Sequence, residues 1–234
     1  MTSADMIMDY AGRHPYLTVN DIVAEFGIKL STARQVLSRL ASLGRLSRVG
    51  YGGYALPKVK EAFPVGVTEE VVSIYNELHA VLPFTDFCIY SGTVLETLQH
   101  HVSTNHAIYV ETNRDAVDSV FFRLKDSHEN VYRQPDAKFM SDYVDLRLDC
   151  IIVKPLVTES PTNIVDGIAV PTLEKLLVDI LKDPDFDYLH GAEYDYMFEN
   201  AVSQYSISTT RLLRYARRRG LQDTIQNKIN NSVF

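Results

Sequence analysis

The stretch from Thr18 to Leu56, TVNDIVAEFGIKLSTARQVLSRLASLGRLSRVGYGGYAL, limits the possible folds more than any other part of the chain. Ile22, Val23 and Phe26 give a short helix one apolar face, and Thr18 with Asp21 three residues on starts a capping box for it. Gly27 then supplies a turn of the kind that needs a residue tolerant of positive φ. Ser31 suits the N-cap of a longer third helix that runs to Leu43. In it Ala33, Val36, Leu37, Leu40 and Leu43 recur at helical spacing and face a core. Gly44 ends that helix, Arg45 and Arg48 fall on a following strand, and Tyr51-Gly52-Gly53-Tyr54 permits a tight ribbon turn. Met6, Ile7 and Tyr10 form an earlier helical face before Gly12, and His14-Pro15 breaks that helix. Two helices joined at a glycine turn, then a glycine-rich β-ribbon, make the pattern of a winged helix-turn-helix.

Placing the apolar stripe inward leaves Thr32, Gln35, Ser38, Arg39 and Ser42 on the opposite face of the third helix, with Arg34 on its flank. These side-chain types pair with base edges and phosphates when a helix enters a major groove N-terminus first. The candidate DNA-contacting set is Ser31, Thr32, Arg34, Gln35, Ser38, Arg39, Arg45, Arg48 and Tyr51. A module of the same shape used only for protein contacts would leave these residues merely solvated, and charge discriminates between the two. Residues 1–60 hold eight Lys/Arg against four Asp/Glu, a net +4, whereas residues 61–234 hold fifteen against twenty-six, a net −11. A basic first module fits a phosphate backbone that an acidic second module would repel.

Prolines and lost periodicity at Pro57 and Pro64 mark the boundary, so the expected domains are 1–60 and 61–234. Past it, Thr68 opens a helix that Pro83 stops. Phe87-Cys88-Ile89-Tyr90 reads as a strand leading into Ser91-Gly92-Thr93 and a helix with Val94, Leu95 and Leu98. Ala107 to Val110 is a second strand, Asn113 or Arg114 opens a helix to about Lys125, and strands are expected near 130–133 and through the region from Val144 to Pro155. A helix follows Pro171-Thr172, and the last third is helical, with segments near 193–204 and 208–219 and a stop at Gly220. The fold class is α+β: a winged helix-turn-helix, then an α/β domain with a helical C-terminal tail.

A strand, a Ser-Gly turn, a helix and another strand resemble the start of a nucleotidyltransferase fold. That chemistry needs a pair of carboxylates one residue apart on the second strand and a third nearby, to hold metal ions. The second strand offers only Glu111; Asp145, Arg147 and Asp149 alternate as if on one strand face, so Asp149 could be the third. The expected domain is nucleotidyltransferase-like in shape and not catalytic, with no catalytic residue, cofactor or metal assigned. Asp183, Asp185 and Asp187 mimic the opening of a calcium loop, but Tyr188 and Tyr194 stand where glycine and glutamate are needed, so a solvated acidic loop is expected. His100, His101 and His106 match no common ligand spacing and read as surface residues. Arg211, Arg214, Arg217, Arg218 and Arg219 make the last predicted helix basic, which fits either a complement to its dipole or a patch for DNA or an acidic partner. The acidic, aromatic run from Asp183 to Asp195 could serve as a protein-binding surface.

No run of 18 apolar residues exists, and the first residues have neither a basic nor an apolar signal region, so a cytoplasmic protein with no membrane partner is expected. Cys88 and Cys150 sit in apolar runs and read as core thiols of a reducing compartment.

Three features together resemble the AbiEi-like abortive-infection antitoxins of type IV toxin–antitoxin pairs. They are the N-terminal winged helix, the run Ile89-Tyr90-Ser91-Gly92-Thr93-Val94-Leu95 followed by His101, and the run from Ile168 through Pro171-Thr172-Leu173-Glu174-Lys175 to Asp179. The tail from about Tyr194 departs from that pattern. The resemblance implies a DNA-binding transcriptional repressor of its own operon, bound to double-stranded DNA at its own promoter, that also counteracts a cognate nucleotidyltransferase toxin and is not an enzyme. Lys175 and Asp179 are spaced to pair at i, i+4, and a structural ion pair is expected there ahead of a catalytic role. Two other functions fit the residues: a metal-dependent nucleotidyltransferase using Glu111 and Asp149, and a ligand-sensing transcriptional regulator.

Overall fold

The computed structural model describes residues 2–49, 52–57, 60–101 and 105–231. The chain divides into two compact units, Met1–Val59 and Lys60–Phe234, of mixed α and β structure.

The first unit packs three helices against a small sheet. Helices α1 (Ser3–Arg13) and α2 (Val19–Phe26) each start at a complete capping box, Thr2 with Asp5 and Thr18 with Asp21. Gly27 closes α2 in the left-handed conformation at φ 64°, its N–H donating to the Val23 carbonyl. The N-cap of helix α3 (Leu30–Ser42) lies two residues before the expected place: it is Lys29, with no side-chain cap bond, so Ser31 lies inside the first turn and is not the cap. Strands β1 (Leu17–Thr18), β2 (Ser47–Val49) and β3 (Gly53–Ala55) form an antiparallel sheet in the order β1-β3-β2. Ile7, Leu17, Ile22, Ala33, Leu37, Leu40, Leu46 and Tyr54 make its core. Helix α1 ends at Arg13 with His14 as its C-cap, where the His14-Pro15 break was expected. A further expectation fails: Leu43 caps α3 outside the core with 61% of its surface exposed. At Gly53 the Tyr16 ring lies where a Cβ would be, so a larger residue there would have to displace that half-exposed side chain.

The second unit is a six-stranded sheet covered on both faces. The order is β6-β7-β5-β4-β9-β8, with β4 at Phe87–Ser91, β5 at Ile108–Thr112, β6 at Val131–Arg133, β7 at Ile151–Pro155, β8 at Thr162–Val165 and β9 at Ile168–Pro171. Strands β5, β6 and β7 run parallel, while β4 pairs antiparallel to β5 and parallel to β9. Alternation splits each central strand between two cores. Ile89, Val110 and Val153 join α4 (Glu69–Val81) and α5 (Val117–Ser127) on one face. Tyr90, Tyr109 and Ile152 join α7 (Leu173–Asp179), α8 (Ala192–Gln204), α9 (Thr209–Arg219) and α10 (Gln222–Asn231) on the other. Burial on both faces is why β4 and β5 read as continuous apolar runs rather than alternating ones. Both cysteines are free and buried in this unit.

Several expectations change in the second unit. A single 3-10 turn, Gly92–Leu95, replaces the helix expected after Ser91. Residues 145–149 are not strand: β7 begins at Ile151, and Arg147 folds back on Asp145 in a two-pronged pair at 2.8 and 2.7 Å. Asp145, Arg147 and Asp149 therefore share no strand face. Helix α6 (Ala137–Tyr143) and the β8–β9 hairpin complete the unit. No helix among the described residues is long and apolar enough to cross a membrane.

Candidate functional site

The outward face of α3 gathers most of the residues expected at DNA. Ser31, Thr32, Arg34, Gln35 and Arg39 are exposed, while Ser38 is half-buried. Arg48, exposed on β2, donates to the Ser38 hydroxyl at 3.2 Å, so the ribbon and the helix present one surface. Arg45 is exposed but lies in the turn ahead of β2 rather than on the strand. Tyr51 lies outside the described residues. No carboxylate interrupts the segment between Glu25 and Glu61, whereas Lys29, Arg34, Arg39, Arg45 and Arg48 all fall within it. None of these four arginines forms an ion pair among the described residues. The exposed side chains of Arg34, Arg39 and Arg45 can therefore meet an anion without first breaking an internal ion pair.

The second unit holds a charged network that sequence reasoning did not assemble. It lies at the carboxyl ends of β5 and β7, around a cavity of about 170 Å³. Lys175 of α7, fully buried, donates to Glu111 of β5 at 2.8 Å and to Asp179 at 2.5 Å. The i, i+4 pair expected on this helix is present, and it is one edge of something larger. Lys154 of β7 donates to Asp183 at 2.9 Å and Asp185 at 2.8 Å and sits 4.0 Å from Glu111. Its ammonium also lies over the rings of Tyr109 and Phe186, with centroids at 5.0 and 5.3 Å. Arg219, at the end of α9, reaches Asp179 at 3.3 Å and pairs with Asp183. Tyr90 donates to Glu111 and Tyr215 to Asp179.

The protonation states follow from this geometry. Burial works against the Lys175 ammonium, but Asp179 and then Glu111 outweigh it and hold the group well above the usual lysine range. Lys154 is raised in the same way, burial being overcome by Asp185 first. Burial raises Asp179, with Lys175 opposing it, whereas for Asp183 burial is overcome by Lys154 and Arg219 and the carboxyl is lowered. Burial pushes the Cys150 thiol up to about 11, away from nucleophilic use.

This network corrects several expectations. The acidic run at 183–187 is not a solvated loop: it forms a 3-10 helix, Pro184–Leu189, and turns Asp183 and Asp185 onto Lys154, leaving only Asp187 exposed. Of the aromatic residues in the run from Asp183 to Asp195, Phe186 and Tyr194 are buried in the core and Tyr188 is exposed. The basic helix does more than complement its dipole, since Arg219 enters the network and Arg211 faces Glu174 at 3.6 Å. Glu174 is itself buried and accepts the Ser208 N–H that starts α9, so α7 clamps α9 at both ends. Glu111 and Asp149 do not meet. Glu111 pairs in register with Lys154 near the end of β7, whereas Asp149 precedes the first residue of that strand, Ile151. That offset of five residues is roughly 16 Å along extended chain. His100 donates its N–H to Glu193 and its ring contacts Tyr196. Among the described residues no set of His, Cys, Asp or Glu is arranged to hold a metal ion.

One signal for the network was visible beforehand: Lys154 follows three apolar residues, Ile151, Ile152 and Val153, that are all buried on β7. Its carboxylate partners come from 29 and 31 residues away, a distance no local spacing rule covers.

The model of DUF6577, a family of unknown function, matches residues 32–233, which takes in the body of α3, the ribbon and the second unit. No curated protein matches the chain.

Proposed function

The chain belongs to the DUF6577 family, and we propose that it is a DNA-binding transcriptional repressor whose first unit is a winged helix-turn-helix. The observation that carries the reading is the unpaired basic face of α3, joined by Arg48 through Ser38 and uninterrupted by any carboxylate from residue 26 to residue 60. In this reading α3 lies in the major groove. Arg34, Gln35 and Arg39 address base edges, where arginine suits guanine and glutamine suits adenine. Ser31, Thr32, Arg45 and Arg48 hold phosphates and fix the register.

The resemblance to AbiEi-like antitoxins extends the proposal to autoregulation and to neutralising a nucleotidyltransferase toxin. The second unit then serves as a nucleotidyltransferase-like binding domain and not as an enzyme. What supports that part is the state of Glu111, the single carboxylate that the second strand offers, which is committed to Lys175 at 2.8 Å and lies away from Asp149.

The test is fluorescence anisotropy on the DNA upstream of the protein's own gene, against a scrambled duplex, across a salt series. Specific binding with a steep negative salt slope is expected. Arg34→Ala with Arg39→Ala should weaken it by at least about tenfold, since each base contact is worth about 1–3 kcal/mol. Arg48→Ala should flatten the slope by about one, the mark of a lost phosphate contact. Unchanged affinity in the double variant would remove α3 as the reading element. Co-expression with a toxic neighbouring gene tests the second half: growth rescue supports neutralisation, and continued toxicity with both proteins present rejects it.

A further inference from the structure

We propose that the second unit contains a binding cavity for a small, unphosphorylated organic amine that also carries a neutral hydrogen-bond acceptor. The cavity measures about 570 Å³ and lies at the opposite end of the sheet from the charged network. It is bounded by the start of α4, the end of α5, and the edge where Ser91 ends β4 and where β5 and β7 begin. A volume in this range suits a small organic molecule.

Three features define the occupant. The floor is apolar: Ile74, Ile108, Cys150 and Ile151 line it and all are buried. At the sheet edge sits Ser91, 7% exposed, whose hydroxyl oxygen accepts from the N–H of Thr93 at 3.3 Å and from its hydroxyl at 2.9 Å. The Ser91 hydroxyl proton can turn either to the Thr93 oxygen or to an acceptor in the cavity. An acceptor on a bound molecule would take that proton while the Thr93 hydroxyl goes on donating to Ser91. The rim carries Glu70, Glu129 and Asp149, all exposed, and no lysine or arginine is among the described lining residues.

The rim charges are available to a ligand. Neither the Glu129 nor the Asp149 carboxylate has a hydrogen-bond or ion-pair partner among the described residues. Lys125 is turned to the Glu129 backbone carbonyl, and Arg123 and His128 are both held by Glu77. Glu70 is lowered by its own backbone N–H and by Thr68, so it already offsets the positive end of α4. His106, the remaining titratable group of the lining, is exposed. A phosphate placed here would meet carboxylates with no cation to balance it, which selects against nucleotides and sugar phosphates. An amine meets Glu129 and Asp149, its acceptor takes the Ser91 proton, and its body covers the isoleucines.

The experiment uses the full chain, labelled with ¹⁵N, and two matched trios of probes. One trio is glucosamine, glucose and glucosamine phosphate; the other is picolylamine, pyridinemethanol and nicotinic acid. In each trio the amine is expected to shift the amides of Ser91, Ile108 and Cys150, and its neutral and anionic counterparts are not. Glu129→Gln with Asp149→Asn should weaken the amines about tenfold, as expected for two exposed charge contacts. Because both residues are exposed, melting should be unchanged. Equal binding by neutral or anionic probes, shifts confined to other regions, or no shifts from either amine would each overturn the proposal.

Discussion

Lys175 shows how much one residue can decide. A lysine in the middle of LEKLLVDIL would ordinarily turn outward to water, yet it is fully buried and bound by two carboxylates. Removing one member of such a set strands the others in a medium of low dielectric. Lys175→Met should therefore destabilise the second unit by about 3–5 kcal/mol in urea unfolding, although methionine fits the apolar surroundings. A loss within error would mean that the network is open to water and contributes little. Asp183 gives the pH counterpart. Its carboxyl is lowered from the ordinary 3.8 in the folded state, so its stabilisation is fully present above that value and is lost as pH falls through the lower folded value. Asp183→Asn should then be less stable than the parent at neutral pH, and the gap between them should shrink below about pH 4. A gap that stays constant from pH 7 to about pH 2 would contradict the assignment.

At the level of elements, the turn between α2 and α3 is the joint on which the proposed reading face depends. Gly27 holds φ 64°, a region that any side chain makes unfavourable by roughly 1–2 kcal/mol. Nothing lies within 4 Å of where a Cβ would be, so Gly27→Ala should show this backbone term alone, about 1 kcal/mol in thermal unfolding. A neutral or stabilising result would show that the backbone can leave the left-handed region at no penalty. The elements called correctly from sequence share one property: their signals are local. The capping box at Thr18, the stop at Gly27 and the helices ending at Gly220 and before Pro83 each depend on residues within a turn of one another. The failures have the opposite character. Ser31 has the right chemistry for a cap, but Lys29 takes that place two residues earlier, without a side-chain cap. The alternating 145–149 run looked like strand until Arg147 found Asp145 two residues away. Local pattern cannot weigh that bond against a ladder pairing.

Over the whole molecule, two units with separate cores predict separate responses. A unit of about 60 residues buries only about 60% of the surface its unfolded chain exposes, so the first unit is the marginal one. The second has two cores on the two faces of its sheet. Lys175→Met should reduce hydrogen-exchange protection in residues 60–231 while leaving α1, α2 and α3 as they were. An equal fall in both units would show that they unfold as one. The basic and acidic halves were plain in the chain, as was an α/β region following the α3 pattern, because charge and short-range periodicity are properties of neighbouring residues.

The α3 stretch, its apolar stripe and its run of unopposed cations are legible in the order of residues alone, since a helix face depends on spacing within a few turns. The joining of Arg48 to Ser38, the network that draws Asp183, Asp185 and Arg219 onto the lysines, and the separation of Asp149 from Glu111 are not. Each depends on which strands lie side by side and in what register. Long-range burial and pairing settle that choice, and a charged residue in the chain does not announce which distant partner will offset its desolvation.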